Sequence, residues 1–107
     1  MQNADRFDKL LTEISQQIVK ECEATGFIFD EPWRDTPKLL MYIVTELSEA
    51  MEAWRDDDRD AFIEEMADTF IRWAHLVGLL RLPVGKTIVA KREKNRKRPR
   101  IHGRKQY

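Results

Sequence analysis

Two pairs of carboxylates at helical spacing constrain this chain more than any other feature. The first pair is Glu46 and Glu49 in the run VTELSEAMEAW, and the second is Glu65 and Asp68 in the run FIEEMADTFIRW. At a spacing of i, i+3, both carboxylates of a pair lie on one face of a helix. The 15 residues of 50–64 between the pairs are enough to end one helix, turn and begin an antiparallel partner. The spacing therefore predicts a helical hairpin that gathers four carboxylates.

A cluster of four carboxylates repels itself, which raises the pKa values of its members. A hard divalent cation that prefers oxygen ligands, Mg²⁺ or in its place Mn²⁺, removes that repulsion. One pair alone is uninformative, because surface helices carry such pairs constantly. Two pairs on adjacent predicted helices, both beside an apolar stripe, favour a metal site. Its predicted ligands are Glu46, Glu49, Glu65 and Asp68.

Length and composition are those of one small helical domain spanning residues 1–107. The chain has 4 Gly, 4 Pro, 42% hydrophobic and 36% charged residues, as in a soluble helical protein. No apolar run approaches the roughly 20 residues that span a bilayer, and the start MQNADRFDKL lacks the pattern of a secretory signal. We therefore expect a cytoplasmic protein with no membrane partner. Cys22 has no second cysteine to pair with, and we expect it to be a small buried hydrophobe.

The net charge of zero hides a strong polarity along the chain. Residues 1–80 hold 18 acidic and 8 basic side chains, a balance of −10. Residues 81–107 hold 11 basic side chains and one acidic side chain, Glu93, a balance of +10. An acidic body with a basic tail, from about residue 96, suggests a metal-binding pole and an anion-binding pole. Polyphosphate substrates require that combination, and nucleic acid is the competing explanation for the tail.

Apolar periodicity predicts four amphipathic helices and an all-α fold. The predicted spans are about 4–24, 36–55, 60–80 and 84–95. Thr36 is a suitable N-cap for the second span, since Pro37 follows it where a missing N–H costs nothing. A monomer this short with long amphipathic helices buries its core poorly. We therefore expect a fold of the four-helix-bundle type whose core is completed by dimerisation.

The apolar stripe of the second predicted helix lies beside the first acidic pair. It consists of Leu39, Ile43, Leu47, Ala50 and Trp54. Glu46 and Glu49 border this stripe, so that a metal ion near the helix interface would be partly shielded. On the third predicted helix, Trp73 and Leu76 are candidates for a subunit interface, and we expect His75 to face a partner subunit or solvent.

Two connections contain residues with competing interpretations. In 26–35, Phe27, Phe29 and Trp33 either plug a core or line a ligand pocket, and we favour the plug. In 56–60, four aspartates suggest a metal site, but aspartates also favour turns and the N-terminal ends of helices. We favour the turn and the helix cap.

Three residues near the C-terminus suit the binding of phosphate. Lys91, Asn95 and Arg98 are spaced to follow one side of a helix into the turn made by Pro99. Lysine supplies a mobile point charge, arginine a planar bidentate fork, and asparagine an amide donor. A plain basic tail would have the same composition.

The order of these motifs resembles the MazG-like branch of the all-α nucleoside triphosphate pyrophosphohydrolases. That family's pattern is E-E-x-x-E, a spacer and E-x-x-D, and its smaller members often close with a lysine, an asparagine, Arg-Pro and His-Gly. The matching runs are TELSEAMEAW, EEMADTFIRW and KREKNRKRPRIHGRKQY, with His102-Gly103 at the close, so the resemblance covers about residues 37–105. Thr45 departs from the pattern, because it replaces the first glutamate of the opening pair. The change concerns a supporting or second-metal role, since Glu46 and Glu49 preserve the E-x-x-E core.

The resemblance implies Mg²⁺-dependent hydrolysis of a (deoxy)nucleoside triphosphate between its α and β phosphates, giving the monophosphate and pyrophosphate. It also implies a homodimer or a dimer of dimers. Glu46 or Glu49 would take the proton of the attacking water, and the residues leave that choice open. Lys91 and Arg98 would hold the leaving pyrophosphate. Candidates for contact with the base or sugar are Trp33, Trp54 and Arg72.

Three other functions compete with this one. A non-catalytic helical protein could bind nucleic acid through the basic tail, although the acidic body makes nucleic acid an unfavourable partner. A protein of the same fold could act on phosphoribosyl-ATP, although the closing Arg-Pro and His-Gly favour the MazG-like branch. A helical assembly protein could have lost its activity, although four carboxylates remain in place.

Overall fold

The computed structural model describes residues 2–98, which form four helices. They are α1 (Gln2–Ala24), α2 (Thr36–Arg55), α3 (Arg59–Leu80) and α4 (Val84–Arg96). Strands are absent from this part of the chain, so the all-α prediction is confirmed, and each helix begins and ends within two residues of its predicted span. Among the same residues, none of the helices combines the length and apolarity that crossing a bilayer requires.

The contacts of the chain form two compact units. One joins the residues up to Glu13 with those from Pro83 onward, and the other is Ile14–Leu82. The second unit contains the hairpin of α2 and α3, which pack against each other and carry both acidic pairs. In the first unit, Gly85 at the start of α4 lies so close to Asp8 of α1 that a Cβ at this position would collide with the aspartate.

The turn between α2 and α3 is built from aspartates. Asp57 adopts a positive φ of 55°, a conformation that aspartate tolerates better than most residues. Asp58 is the N-cap of α3, and its Oδ1 accepts a hydrogen bond of 3.0 Å from the backbone N–H of Ala61. The prediction that this acidic run forms a turn and a helix cap is confirmed.

The start of α2 differs from the predicted cap. Asp35, not Thr36, is the N-cap residue, and its side chain makes no capping hydrogen bond. Thr36 is already helical, and its hydroxyl donates to the carbonyl oxygen of Pro32 at 2.9 Å. Pro37 lies in the first turn, as predicted, where no intrahelical donor is needed.

The last part of α1 packs closely against the end of α3. A Cβ at Gly78 would lie only 2.7 Å from the backbone oxygen of Ser15 and from the side chain of Val19. The side-chain amide of Gln16 donates to the carbonyl oxygen of Gly78 at 3.0 Å. The absence of a side chain at Gly78 therefore sets how near the two helices approach, and Ala74, Leu76 and Val77 are buried around this crossing.

Several predicted positions on the hairpin are wrong. In α2 the buried residues are Leu39, Glu46, Ala50 and Ala53, whereas Leu47 and Trp54 of the predicted stripe are 47% and 68% exposed. The helix is rotated so that Glu46 belongs to the buried face instead of bordering it. Leu76 is buried within the chain and cannot serve as an interface residue, while Trp73 is half-buried and packs against Phe70 with ring centroids 5.9 Å apart.

Candidate metal centre

Three carboxylates from α2 and α3 converge in the second unit. Oxygen atoms of Glu46, Glu49 and Glu65 all lie within 4.8 Å of one another. Glu46 and Glu49 come from successive turns of α2, and Glu65 faces them from α3. Burial is graded across the group, because Glu46 is buried, Glu65 half-buried and Glu49 exposed. The arrangement is therefore anchored in the protein on one side and open to a ligand on the other.

Asp68, the fourth predicted ligand, lies outside this group of three. It is exposed, one turn after Glu65 on α3, and it lines a cleft together with Glu46. Its charge still contributes to the electrostatics of Glu65. The structure thus brings together three of the four predicted ligands and places the fourth beside them.

The pKa of Glu65 reflects both its burial and its acidic neighbours. Its pKa is raised from 4.5 to about 7, first because burial disfavours the carboxylate and then because the charge of Glu49 opposes it. A protonated Glu65 can donate a hydrogen bond to Glu49 or Glu46, which raises the pKa further. Its Oε1 is buried and has no hydrogen-bond partner within residues 2–98. An unpaired buried oxygen among three carboxylates is a costly arrangement that a cation relieves.

The donor set fits a hard divalent cation. All three groups offer carboxylate oxygens, which Mg²⁺ and Mn²⁺ prefer, and no thiolate or imidazole belongs to the group. Thr45, which departs from the family pattern, adds no ligand, since its hydroxyl donates to the carbonyl oxygen of Met41 at 3.0 Å.

Arg72 holds Glu46 in place from the next turn of α3 after Asp68. Its Nε donates to Oε2 of Glu46 at 3.3 Å, so one oxygen of this buried carboxylate is already engaged. The guanidinium carbon lies 5.6 Å from the ring centroid of Phe27 and 5.1 Å from that of Tyr42. Two aromatic faces at this distance attract and orient the guanidinium group.

The aromatic residues of the 26–35 loop form a cluster around His75. Phe27 meets Phe29 edge to face at 4.8 Å and stacks on His75 at 5.2 Å. Phe27 and Phe29 are half-buried and pack inward, as the predicted plug requires, whereas Trp33, which was predicted with them, is 76% exposed. The expectation that His75 faces a partner or solvent is wrong, since this histidine is only 2% exposed. Burial, and then the charge of Arg72, lower the pKa of His75, so it is neutral near pH 7.

A polar cleft of about 270 Å³ opens beside the carboxylates. Its lining residues are Cys22, Glu46, Asp68, Ile71, Arg72 and His75. Cys22 is half-buried at the wall of this cleft, not a buried core residue as expected, and burial raises the pKa of its thiol. Cys22 and His75 lie outside the acidic motifs, so no pattern in the sequence associated them with Glu46.

Of the three predicted base or sugar contacts, Arg72 alone lines this cleft. Trp33 is 76% exposed on the loop before α2. Trp54 is 68% exposed and lines a different cleft, at the turn between α2 and α3. A role for either tryptophan in ligand contact stays a prediction without support from this geometry.

The predicted phosphate-binding residues lie on and just after α4, in the first unit. Lys91 and Arg98 are exposed and form no ion pair within residues 2–98. The acidic neighbour Glu93 instead pairs with other residues, Arg96 and Lys97. Asn95 is half-buried, and its Oδ1 is buried without a hydrogen-bond partner in the described chain.

The closing motif lies outside the described residues, as does the larger part of the predicted tail. This applies to Pro99 and to His102-Gly103. Their predicted contribution to the family pattern therefore rests on the sequence alone.

Comparisons with known proteins do not assign the chain to a family. No protein-family model matches it, no curated protein matches it, and no solved structure matches it. The resemblance to the MazG-like pyrophosphohydrolases therefore rests on the order and spacing of the motifs and stays a prediction.

Proposed function

We propose that the protein hydrolyses (deoxy)nucleoside triphosphates to the monophosphate and pyrophosphate in a Mg²⁺-dependent reaction. One observation carries the proposal, namely the convergence of Glu46, Glu49 and Glu65 within 4.8 Å at an open edge of the hairpin. Three carboxylates this close, one with its pKa raised to about 7, repel one another, and a cation would balance their charge. The cleft beside Glu46 and the exposed cations of α4 are consistent with a polyphosphate substrate.

Each carboxylate has a distinct part in the proposed chemistry. Glu46, Glu49 and Glu65 would hold Mg²⁺, and Asp68, which lines the adjoining cleft with Glu46 and whose charge acts on Glu65, would support them. When bound, Mg²⁺ supplies charge neutralisation for the phosphate oxygens. Glu49 is the better base for the attacking water, because it is exposed whereas an oxygen of Glu46 accepts a hydrogen bond from Arg72.

The organic part of the substrate would occupy the cleft beside Glu46. The guanidinium group of Arg72 lines this space and offers N–H donors beyond the Nε that binds Glu46. Base or sugar oxygens are suitable acceptors for them. For the pyrophosphate leaving group, the proposal follows the resemblance alone, which assigns it to Lys91, Asn95 and Arg98, two cations and an amide.

The proposed functional form is a homodimer or a dimer of dimers. One side of α2 exposes a stripe of apolar residues at three- and four-residue steps, each at least 47% exposed. These residues are Leu40, Val44, Leu47, Met51 and Trp54. Ile63, Met66 and Phe70 on α3 are exposed as well. Such continuous apolar surface on a hairpin is typical of helices that pack against a second copy.

Light scattering on the full chain tests the assembly. We expect the mass of a dimer or tetramer at micromolar concentration, and a smaller mass for Leu47→Glu, which places a charge in the stripe. Lys38→Glu is the matched control, since Lys38 is an exposed polar position of the same helix. A monomer mass for the unaltered chain contradicts the proposal.

A substrate panel tests the reaction itself. The protein is incubated with (deoxy)nucleoside triphosphates and with phosphoribosyl-ATP in Mg²⁺, and the products are separated by chromatography. We expect a monophosphate and pyrophosphate, loss of turnover in Glu65→Gln, and normal turnover in Glu64→Gln, whose exposed side chain lies outside the carboxylate group. Release of single phosphates, or turnover that persists in Glu65→Gln, would show that the proposal is wrong.

A further inference from the structure

Glu46 differs from the other two carboxylates because one of its oxygens is already occupied. Its Oε2 accepts a hydrogen bond of 3.3 Å from Nε of Arg72, and its side chain is only 11% exposed. A buried carboxylate has little room to rotate, so Oε2 is held toward Arg72. The hydrogen bond therefore orients the carboxylate so that Oε1 is the oxygen favoured for a cation in the centre.

Arg72 is itself held from several sides. Phe27 and Tyr42 contact its guanidinium group with their rings, and Phe27 is in turn fixed by Phe29 and His75. These contacts come from the loop before α2 and from α2 and α3 themselves. Although its side chain is 36% exposed, Arg72 is held by two rings and by Glu46, and in this way it positions the Glu46 carboxylate.

The number of oxygens that a carboxylate can offer distinguishes cations. Ca²⁺ takes six to eight oxygen ligands in flexible geometry and gains from bidentate carboxylates. Mg²⁺ requires a compact octahedron and binds carboxylates through single oxygens while it keeps several waters. A site in which one carboxylate is restricted to a single oxygen therefore favours the smaller ion.

We propose that Arg72 is a positioning residue that makes the centre selective for Mg²⁺ and Mn²⁺ over Ca²⁺ by restricting Glu46 to one oxygen. This inference rests on the proposed function only in taking the three carboxylates as a metal site. It concerns which ion the site binds, and it does not depend on the reaction or on the substrate.

The ratio of the Ca²⁺ and Mn²⁺ affinities tests the proposal, because it distinguishes the positioning of Glu46 by Arg72 from the effect of the positive charge of Arg72. Removing the positive charge of Arg72 strengthens the binding of every divalent cation, and this common effect cancels in the ratio of the Ca²⁺ and Mn²⁺ dissociation constants. Freeing the second oxygen of Glu46 strengthens the binding of Ca²⁺ alone, because Ca²⁺ gains from bidentate carboxylates. Loss of a partner that orients a metal ligand changes affinity by about 10- to 100-fold.

The experiment measures Mn²⁺ binding to the full chain from the electron paramagnetic resonance signal of free Mn²⁺, followed by competition with Ca²⁺. For Arg72→Gln we expect the ratio of the Ca²⁺ to the Mn²⁺ dissociation constant to fall by about tenfold. Arg72→Lys keeps the charge but lacks the fixed Nε donor, and it should move the ratio in the same direction. Arg55→Gln, an exposed arginine at the end of α2, is the matched control for loss of charge and should leave the ratio unchanged.

Each outcome has one interpretation. If either Arg72→Gln or Arg72→Lys folds and leaves the ratio at its original value, the Nε donor of Arg72 does not set the selectivity and the inference is wrong. If Arg72→Gln fails to fold by circular dichroism, the ratio for Arg72→Lys decides. If the unaltered protein does not bind Mn²⁺, or binds it equally well after Glu49→Gln, then the metal site of the proposed function is wrong, whatever Arg72 does.

Discussion

The affinity of the centre for a divalent cation should depend steeply on pH, and Glu65 is the reason. A cation binds the carboxylate and not the acid, so the proton on Glu65 must leave before the metal ion is bound. With its pKa raised from 4.5 to about 7, Glu65 is mostly protonated at about pH 6 and mostly ionised at about pH 8. An unperturbed glutamate is ionised at both pH values.

The size of the change in metal affinity with pH follows from the pKa of Glu65. For a single competing proton, the apparent dissociation constant is multiplied by one plus the ratio of proton concentration to acid dissociation constant. With a pKa of about 7, affinity should fall by about tenfold between about pH 8 and about pH 6. With the ordinary value of 4.5, the same change of pH would alter the affinity by only a few per cent.

Titration of Mn²⁺ into the full chain, followed by electron paramagnetic resonance at several pH values, measures this dependence. Glu64→Gln, an exposed neighbour on the same helix, should keep the tenfold dependence. Glu65→Gln should bind Mn²⁺ more weakly and with no such dependence. His75 remains in both variants, so any pH dependence of the Mn²⁺ affinity that is left in Glu65→Gln comes from groups other than Glu65, such as His75. A flat profile for the unaltered chain would refute the argument that the three carboxylates share one strongly coupled site.

Three further predictions concern stability and the role of α4. Without metal, the pKa of Glu65 is raised in the folded state, so the unfolded chain loses this proton at lower pH than the folded chain. Ionisation of Glu65 therefore leaves the free energy of unfolding unchanged below about pH 4.5, lowers it as the pH rises to about 7, and has a constant effect above that pH. In a chelator, the melting temperature of Glu65→Gln should therefore exceed that of the unaltered protein at about pH 8, and the difference should shrink toward about pH 5. Equal melting temperatures of the two proteins at both pH values would contradict this. Gly78→Ala should destabilise the chain by about 1–3 kcal/mol in urea unfolding, because the added Cβ would lie 2.7 Å from the backbone of Ser15, and an unchanged midpoint would show that the helices can separate freely. Arg98→Lys should lower hydrolysis while leaving Mn²⁺ binding unchanged, since a bidentate fork becomes a point charge; if the chain is instead a nucleic-acid binder, the variant would change only a salt-dependent affinity for DNA or RNA.

The sequence was sufficient to predict the helices and the presence of a carboxylate cluster. Apolar residues at three- and four-residue steps, with aspartates and prolines at the ends, are local signals, and the predicted spans match the helices within two residues. The spacing of Glu46 and Glu49, and that of Glu65 and Asp68, likewise implies that each pair shares one face of its helix, because a helix has one fixed period. The short turn through Asp57 and Asp58 makes α2 and α3 neighbours along the chain, as the hairpin prediction requires.

The surroundings of the cluster depended on tertiary structure. Helical period gives a stripe but not which edge of it meets another helix, so the burial of Glu46 and the exposure of Leu47 could not be read from α2 alone. Arg72 reaches Glu46 across 26 positions of sequence, and Phe27 covers His75 from a loop with no periodic signal. Contacts of this kind arise only when separate elements pack, because each side chain contacts whichever neighbours the packing places beside it, and no local rule of propensity or spacing encodes that choice.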